Sequence, residues 1–188
     1  MRKGSEVLGF WGSGVLRFCG SGFCVLVCHC GMIGGMSYTI RTASAADVPH
    51  VVHHREQMFR EMGTACDFAA MADACTRWYA EALPAGIYRG WMAEHEGRVI
   101  GGGGMIVMPW SPGPSRFDPR MAWVYNMFVE PPHRGRGIAR RLIEAMHAWC
   151  RERHIERLAL NATEAGARVY REQGYSVVAE PMMRLDLG

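Results

Sequence analysis

The segment 129–139, VEPPHRGRGIA, holds the residue types and spacing best suited to chemistry in this sequence. A pair of prolines ends an apolar run, and an Arg-Gly-Arg-Gly turn then opens a strongly helical pattern. The first N–H groups of any helix lack internal partners and lie at the positive end of its dipole. Glycines let a ligand approach the backbone, and arginines add positive charge. The segment therefore predicts a site for an anion such as pyrophosphate.

The same spacing argues against two common nucleotide-binding motifs. The segment lacks the GxxxxGK(S/T) pattern of a P-loop and the GxGxxG pattern of a dinucleotide-binding fold. The run GGGG at 101–104 is another candidate phosphate loop, but a strand pattern follows it rather than a helix. We interpret those glycines as strand residues that permit a bulge or a close contact with a ligand or helix.

Two blocks of the sequence together resemble the GNAT acetyltransferase superfamily. The first matches that family's acyl-CoA motif, Arg/Gln-x-x-Gly-x-Gly/Ala, at Arg134, Gly137 and Ala139, after the strand end at 129–131. The second, LALNATEAGARVYREQGY at 158–175, is similar to the family's strand, Asn-bearing loop and Tyr-bearing helix with a closing Gly-aromatic pair. The resemblance covers most of 38–188 and is strongest over 121–180.

The resemblance implies a binding site for acetyl-CoA. The backbone edge of 127–129 is expected to pair with the pantetheine arm, where the strand carries a bulge and splays from its neighbour. The amides of 134–139 are expected to hold the pyrophosphate, while Asn161, Thr163 and Glu164 compete for a further cofactor contact. The cofactor-binding residues so implied are Met127, Phe128, Val129, Arg134, Gly135, Arg136, Gly137, Ile138, Ala139 and Asn161.

The resemblance also implies two catalytic residues, Tyr170 and Asn161. Tyr170 is expected to approach the CoA sulfur, which leaves as thiolate when an amine attacks the thioester. A free tyrosine has a pKa of about 10 and a thiol one of about 8.5, so proton transfer to the thiolate is uphill. Hydrogen bonding of the developing charge is the simpler role. A core aromatic is the alternative interpretation of Tyr170.

The general base stays open at the level of sequence. Many relatives place a Glu on a central strand, but the run 121–129 holds no carboxylate and 156–161 holds one only at its start. The candidates are Glu94, His95, Glu56 and Asp118. A water chain is the alternative. Trp123 and Tyr125 share a strand face by the period of two and are candidate lining residues of the acceptor pocket.

The order of elements indicated by periodicity and turn residues is βααβββαβαβ, a mixed α/β layer. The predicted helices are 45–62, 68–83, one that starts at 137, and 165–173. The predicted strands are 38–41, 88–95, 98–108, 121–129, 156–161 and 175–179. Residues 109–120 are predicted as a loop and 130–133 as non-helical. The resemblance implies a GNAT-like α/β (α+β) fold, a central mixed sheet with a splayed strand pair and helices on both faces.

Charged and imidazole side chains are frequent on the first predicted helix. We interpret Arg55, Arg60, Glu56 and Glu61 as a solvated ion-pair face at helical spacing. His50, His53 and His54 are interpreted as a helix face near the acceptor site rather than as zinc ligands.

Composition divides the 188 residues into an atypical head and an ordinary body. Residues 1–36 hold nine of the 23 glycines and four of the seven cysteines, and we interpret them as an extension outside the fold. The alternatives are a targeting or membrane segment and a metal site at Cys24, Cys28, His29 and Cys30. Residues 37–188 are predicted to form the N-acetyltransferase domain, whose three cysteines at wide spacing suit reduced thiols in the cytoplasm.

The net charge of +3, from 21 basic and 18 acidic residues, is too balanced for a general nucleic-acid binder. The resemblance implies a soluble, cytoplasmic enzyme that moves an acetyl group from acetyl-CoA to an amine of a small molecule or peptide, by direct attack in a ternary complex. No metal, nucleic acid or membrane is expected for the core domain, and a homodimer is one candidate assembly. A catalytically silent acyl-CoA sensor or interaction module is the alternative.

Overall fold

The computed structural model describes residues 37–179 together with residues 183 and 185. Nine regular elements follow in chain order, with short 3-10 turns at Ala45–Asp47 and Pro131–His133. They are β1 (Thr39–Thr42), α1 (Val48–Glu61), α2 (Phe68–Ala82), β2 (Tyr88–His95), β3 (Arg98–Pro109), β4 (Arg120–Val129), α3 (Ile138–Glu152), β5 (Leu158–Ala159) and α4 (Glu164–Glu172).

The five strands form one mixed sheet in the order β1-β2-β3-β4-β5. The first four pair antiparallel, and β5 runs parallel to β4. The β4–β5 pairing consists of Ala122 opposite Leu158 and Trp123 opposite Ala159. Beyond Trp123, β4 has no strand on its outer side within the described part of the chain. The splayed strand pair that the family resemblance implies is thus present.

Helices cover both faces of the sheet because the strands carry apolar side chains on both sides. On one face, α3 contributes buried residues such as Leu142 and Met146 to a core shared with Ala122 and Val124 of β4. On the other, α1 and α2 pack on β2 in a second core. Each of these three helices therefore buries its apolar stripe against the sheet.

The capping residues of the sequence fix where α2 begins. Asp67 precedes the helix in an extended conformation, and its Oδ1 accepts hydrogen bonds from the N–H groups of Ala69 and Ala70 at 3.1 and 3.0 Å. An N-cap carboxylate satisfies donors that the helix itself leaves unpaired.

Three sequence-based predictions were wrong in detail. Residues 175–179 form no strand, and Val177 and Val178 are exposed, because an apolar pattern alone does not supply a ladder partner. Strand β5 is shorter than the predicted 156–161, since β4 and β5 pair at only two positions. Residues Pro131–His133, predicted as non-helical, form a 3-10 turn, for which the fixed φ of proline is suited.

The prediction for the head, residues 1–36, lies outside the described residues. Within 37–179, no helix combines the length and apolar character that a membrane crossing needs.

Candidate active site

A bulge in β4 shapes the centre of the site. Gly102 faces Phe128 and Gly104 faces Tyr125, so two residues of β4 lie opposite the single residue Gly103. One of the two is Asn126, whose φ of 55° is in the left-handed region. The extra residue reverses the alternation of faces and bends the strand. The bulge that the resemblance implies is therefore present beside the free outer edge of β4.

Asn126 is held by a buried polar network. Its Oδ1 accepts a 2.7 Å hydrogen bond from Nη1 of Arg55, and its Nδ2 donates to the hydroxyls of Tyr79 at 2.6 Å and Tyr88 at 3.4 Å. The residue is 4% exposed. Burial raises the pKa of both tyrosines, so both phenols stay protonated at neutral pH. The network ties α1, α2 and β2 to the bulge.

Sequence reasoning missed this network. Asn is one of the few residue types that adopt a positive φ without large strain, and a single Asn within an apolar strand pattern was the available signal. The prediction of an ion-pair face on α1 was partly wrong. Arg60 does pair with Glu56 at 2.7 Å, but Glu61 pairs with Arg134 and Arg55 binds the amide of Asn126.

The glycine run of β3 serves close packing against the bulge. A Cβ on Gly101 would lie 2.8 Å from the carbonyl oxygen of Phe128, and one on Gly103 would collide with Met127. A Cβ on Gly104 would collide with Tyr88. The interpretation of these residues as strand glycines at a close contact agrees with the structure.

The Gly-rich turn leads from the end of β4 directly into α3. Gly135 and Gly137 both have a φ of 73°, a conformation that favours glycine, and Gly137 is the N-cap of the helix. The N–H of Arg141 donates to the carbonyl of Gly137 at 3.1 Å and closes the first turn. The amides ahead of it are the donors that a helix cannot pair internally. A Cβ on Gly135 would meet nothing within 4 Å, so the backbone there is open to a ligand.

The two arginines of the turn have protein partners. Arg134 donates from Nε to the carbonyl of Val129 at 2.8 Å and from Nη2 to Glu61 at 2.6 Å. Arg136 donates from Nη2 to the carbonyl of Pro132 at 3.2 Å. Arg134 therefore braces the turn against β4 and α1, a role that the sequence pattern did not indicate.

Tyr170 lies on α4, the helix that follows β5 in the chain. It is half-buried, and burial raises its pKa to about 12. Its ring makes an edge contact with Tyr175, with 5.6 Å between the ring centroids. A phenol with this pKa keeps its proton at neutral pH and acts as a hydrogen-bond donor. Of the three competing loop residues, Thr163 caps α4 by accepting from the N–H of Gly166, while Asn161 and Glu164 are exposed.

The four candidate bases each have a protein partner. Glu94 accepts from Arg41 at 2.7 Å, Asp118 pairs with Arg120 at 2.8 Å, and Glu56 pairs with Arg60. The fourth, His95, places Nδ1 2.7 Å from a backbone carbonyl oxygen. The structure therefore does not single out one of them as the base.

Two histidines of α1 contact other parts of the protein. His53 lies 3.1 Å from a carboxylate oxygen of Glu130, and His54 is buried and stacked on Phe128 with 5.3 Å between centroids. The described residues contain no cluster of three potential metal-ligating side chains. Cys150 is buried, and burial raises its pKa to about 11, so its thiol stays protonated and unreactive at neutral pH.

We expect His54 to make folding sensitive to mild acid. Burial, with the charges of His53 and His50, lowers the pKa of His54 from 6.5 to about 4. The unfolded chain therefore binds a proton that the folded chain does not between these pH values, and stability falls as pH decreases through this window. Denaturant titrations from pH 7 to pH 4 should show a smaller loss of stability for His54→Gln than for the wild type. Parallel pH profiles would contradict this assignment.

Comparisons with known proteins place the chain in a family. The profile of the acetyltransferase (GNAT) family matches residues 50–175. The chain is similar to the crystal structure of a GCN5-related N-acetyltransferase from Ralstonia eutropha JMP134, with 35% sequence identity and a TM-score of 0.74. The match covers 79% of this chain and 98% of that protein's chain. The chain belongs to the GNAT acetyltransferase family, whose general reaction is acyl-CoA-dependent acetyl transfer.

Two further structures share the fold. One is a predicted acetyltransferase with acetyl-CoA from Clostridium acetobutylicum, with 24% identity, a TM-score of 0.73 and coverage of 80% of this chain and 96% of that one. The other is the aminoglycoside N-acetyltransferase AAC(6')-Iy in complex with CoA, with 19% identity, a TM-score of 0.65 and coverage of 84% and 100%. A comparison with curated protein sequences finds no match.

Proposed function

We propose that this protein transfers the acetyl group of acetyl-CoA to an amine of a small molecule or peptide, by direct attack in a ternary complex. The observation that carries the proposal is the continuity of a free, bulged strand edge with an open Gly-rich helix N-terminus. A long thioester with a pyrophosphate needs both features in this order. Family membership supports the same reaction class.

The backbone of the chain fits the two ends of this ligand. The outer edge of 127–129 offers N–H and C=O groups to the amides of a pantetheine arm, as a strand edge does for an added strand. The space around Gly135 is open, and the amides of 135–139 at the start of α3 suit a pyrophosphate. Arg134 acts through the turn that it braces, whereas Ile138 and Ala139 contribute their amides in the first turn of α3.

The reaction needs few groups from the protein. Bound acetyl-CoA supplies an activated acyl carbon; the amine nitrogen forms a bond to it, the C–S bond breaks, and the amine's proton ends on the sulfur. Tyr170, protonated with a pKa of about 12, donates a hydrogen bond to the developing thiolate. We assign Asn161 to hydrogen bonding of the pantetheine or the substrate.

Substitution Tyr170→Phe tests the proposal. It removes the hydroxyl and keeps the ring, so kcat should fall about tenfold or more, while the Kd for CoA changes less than about threefold. The matched control is Tyr175→Phe, because the Tyr175 hydroxyl lies 3.0 Å from Nε2 of His147 instead. An unchanged kcat in Tyr170→Phe, or an equal loss in both variants, would remove Tyr170 from the reaction.

A catalytically silent acyl-CoA sensor is the second candidate, because all four candidate bases have protein partners. A sensor would bind CoA but show no turnover, both in the wild type and in the Tyr170→Phe variant.

We further propose that residues 37–188 are the acetyltransferase domain and that the protein is cytoplasmic. Cys66, Cys75 and Cys150 are free thiols, which suits a reducing compartment. A homodimer stays a prediction, and sedimentation as a monomer at micromolar concentration would contradict it.

A further inference from the structure

Arg55 lies where α1 meets the bulge of β4. Besides its hydrogen bond to Asn126, its guanidinium carbon lies 4.9 Å from the ring centroid of Phe59 on the same helix. The side chain is half-buried. It makes no ion pair among the described residues, whereas the acidic neighbours Glu56 and Glu61 are paired with other arginines. Its positive charge therefore has no carboxylate partner within the described part of the chain.

The guanidinium keeps donors for a ligand. Arginine has five N–H donors in a planar fork, and the bond to Asn126 occupies one of them. Such a fork matches the two oxygens of a carboxylate, and partial burial strengthens the pairing relative to open solvent. The bond to Asn126 and the contact with Phe59 hold the side chain in place before a ligand arrives.

Arg55 lies on the α1–α2 face of β4, where the Asn126 network also holds Tyr79 and Tyr88. On the α3 face, Ala122 and Val124 are buried in the core shared with Leu142 and Met146. On the α1–α2 face, the neighbouring side chains Trp123 and Tyr125 are only half-buried. An acceptor amine that binds beside the free edge of β4 on the α1–α2 face would therefore lie on the same side of the sheet as Arg55.

We propose that the acceptor is a small amine that also bears a carboxylate, as a free amino acid does, and that Arg55 binds this carboxylate. This inference rests on the proposed function. The acceptor's neutral nitrogen forms the new bond to the acetyl carbon, and the proton that it loses ends on the CoA sulfur. Arg55 takes no part in bond making; it determines which amine is held beside the bulge.

Matched acceptor pairs test the inference on the full chain. We would measure acetyl-CoA consumption with free L-amino acids and with their carboxamides, which keep the amine and lose the negative charge. A charge-assisted pair with Arg55 should make kcat/KM at least about tenfold higher for the acids than for the carboxamides. Equal rates, or faster acetylation of the carboxamides, would overturn the inference.

Two variants locate the preference. Arg55→Gln should bring the acid-to-carboxamide ratio close to one through a higher KM for the acid, with the KM for acetyl-CoA unchanged. Arg77→Gln on the exposed side of α2 removes the same charge and should preserve the ratio. A ratio that survives in Arg55→Gln would assign the carboxylate to another residue. The acid-to-carboxamide ratio of the wild type tests the inference by itself, so the test still stands if Arg55→Gln folds poorly.

Different results contradict the proposed function and the role of Arg55. A protein that acetylates no amine contradicts the proposed function, whether or not it binds CoA in a calorimetric titration. A protein that binds CoA but acetylates only amines without a carboxylate, such as polyamines or aminoglycosides, contradicts the role of Arg55 alone. Binding of CoA without acetylation of any carboxylated amine also overturns that role.

Discussion

Gly137→Glu should abolish measurable binding of CoA, raising Kd by at least about 100-fold. Two effects act together at this position. A side chain at a φ of 73° is strained by about 1–2 kcal/mol, which disturbs the first turn of α3. A carboxylate at the helix N-terminus also takes the place of the ligand's anion and repels it. Calorimetric titration of the full chain with CoA measures the result directly.

The control separates strain from charge. Gly97, in the turn between β2 and β3, has a φ of 74° and open space around its Cβ position, so Gly97→Glu imposes similar strain elsewhere. That variant should keep its affinity for CoA. Gly137→Asn, which tolerates the left-handed conformation without added charge, should bind CoA far better than Gly137→Glu. Retained binding in Gly137→Glu would move the pyrophosphate away from α3.

The turn and α3 could be predicted from sequence because their signals are local. Glycines that need positive φ, prolines that end a strand and an apolar stripe at helical spacing all lie within one segment. The bulge itself depended on the family resemblance. The network around Asn126 joins residues 38 to 71 positions apart, and no local pattern in the sequence encodes such a contact.

Charged residues were the least predictable part of the site. Helical spacing on α1 favoured pairs within the helix, and this was right for Arg60 and Glu56. It was wrong for Arg55 and Glu61, whose partners come from distant elements that tertiary packing brings close. The prediction of a terminal strand at 175–179 was wrong for a related reason, since strand pairing is decided by neighbours in space rather than by alternation along the chain.

Gly104→Ala should lower the free energy of unfolding by about 3 kcal/mol, the upper end of the usual cost of overpacking. The added Cβ would collide with both the ring carbon Cζ and the hydroxyl of Tyr88, and would lie 2.5 Å from the carbonyl oxygen of Arg89. Tyr88 is fully buried, and a backbone carbonyl in a paired strand has little room to shift. Urea unfolding of the two proteins measures the difference.

Two comparisons make this result specific to close packing. Gly97→Ala has open space at its Cβ position and should cost only the strain of its positive φ, about 1–2 kcal/mol. In a Tyr88→Phe background, Gly104→Ala should cost somewhat less, because the hydroxyl is gone while the ring carbon Cζ and the Arg89 carbonyl still clash. If Gly104→Ala costs no more than Gly97→Ala, β3 has room for a side chain there. The glycine would then not be needed to let the Tyr88 hydroxyl reach Asn126, and the geometry of the bulge would have to depend on Arg55 and Tyr79 alone.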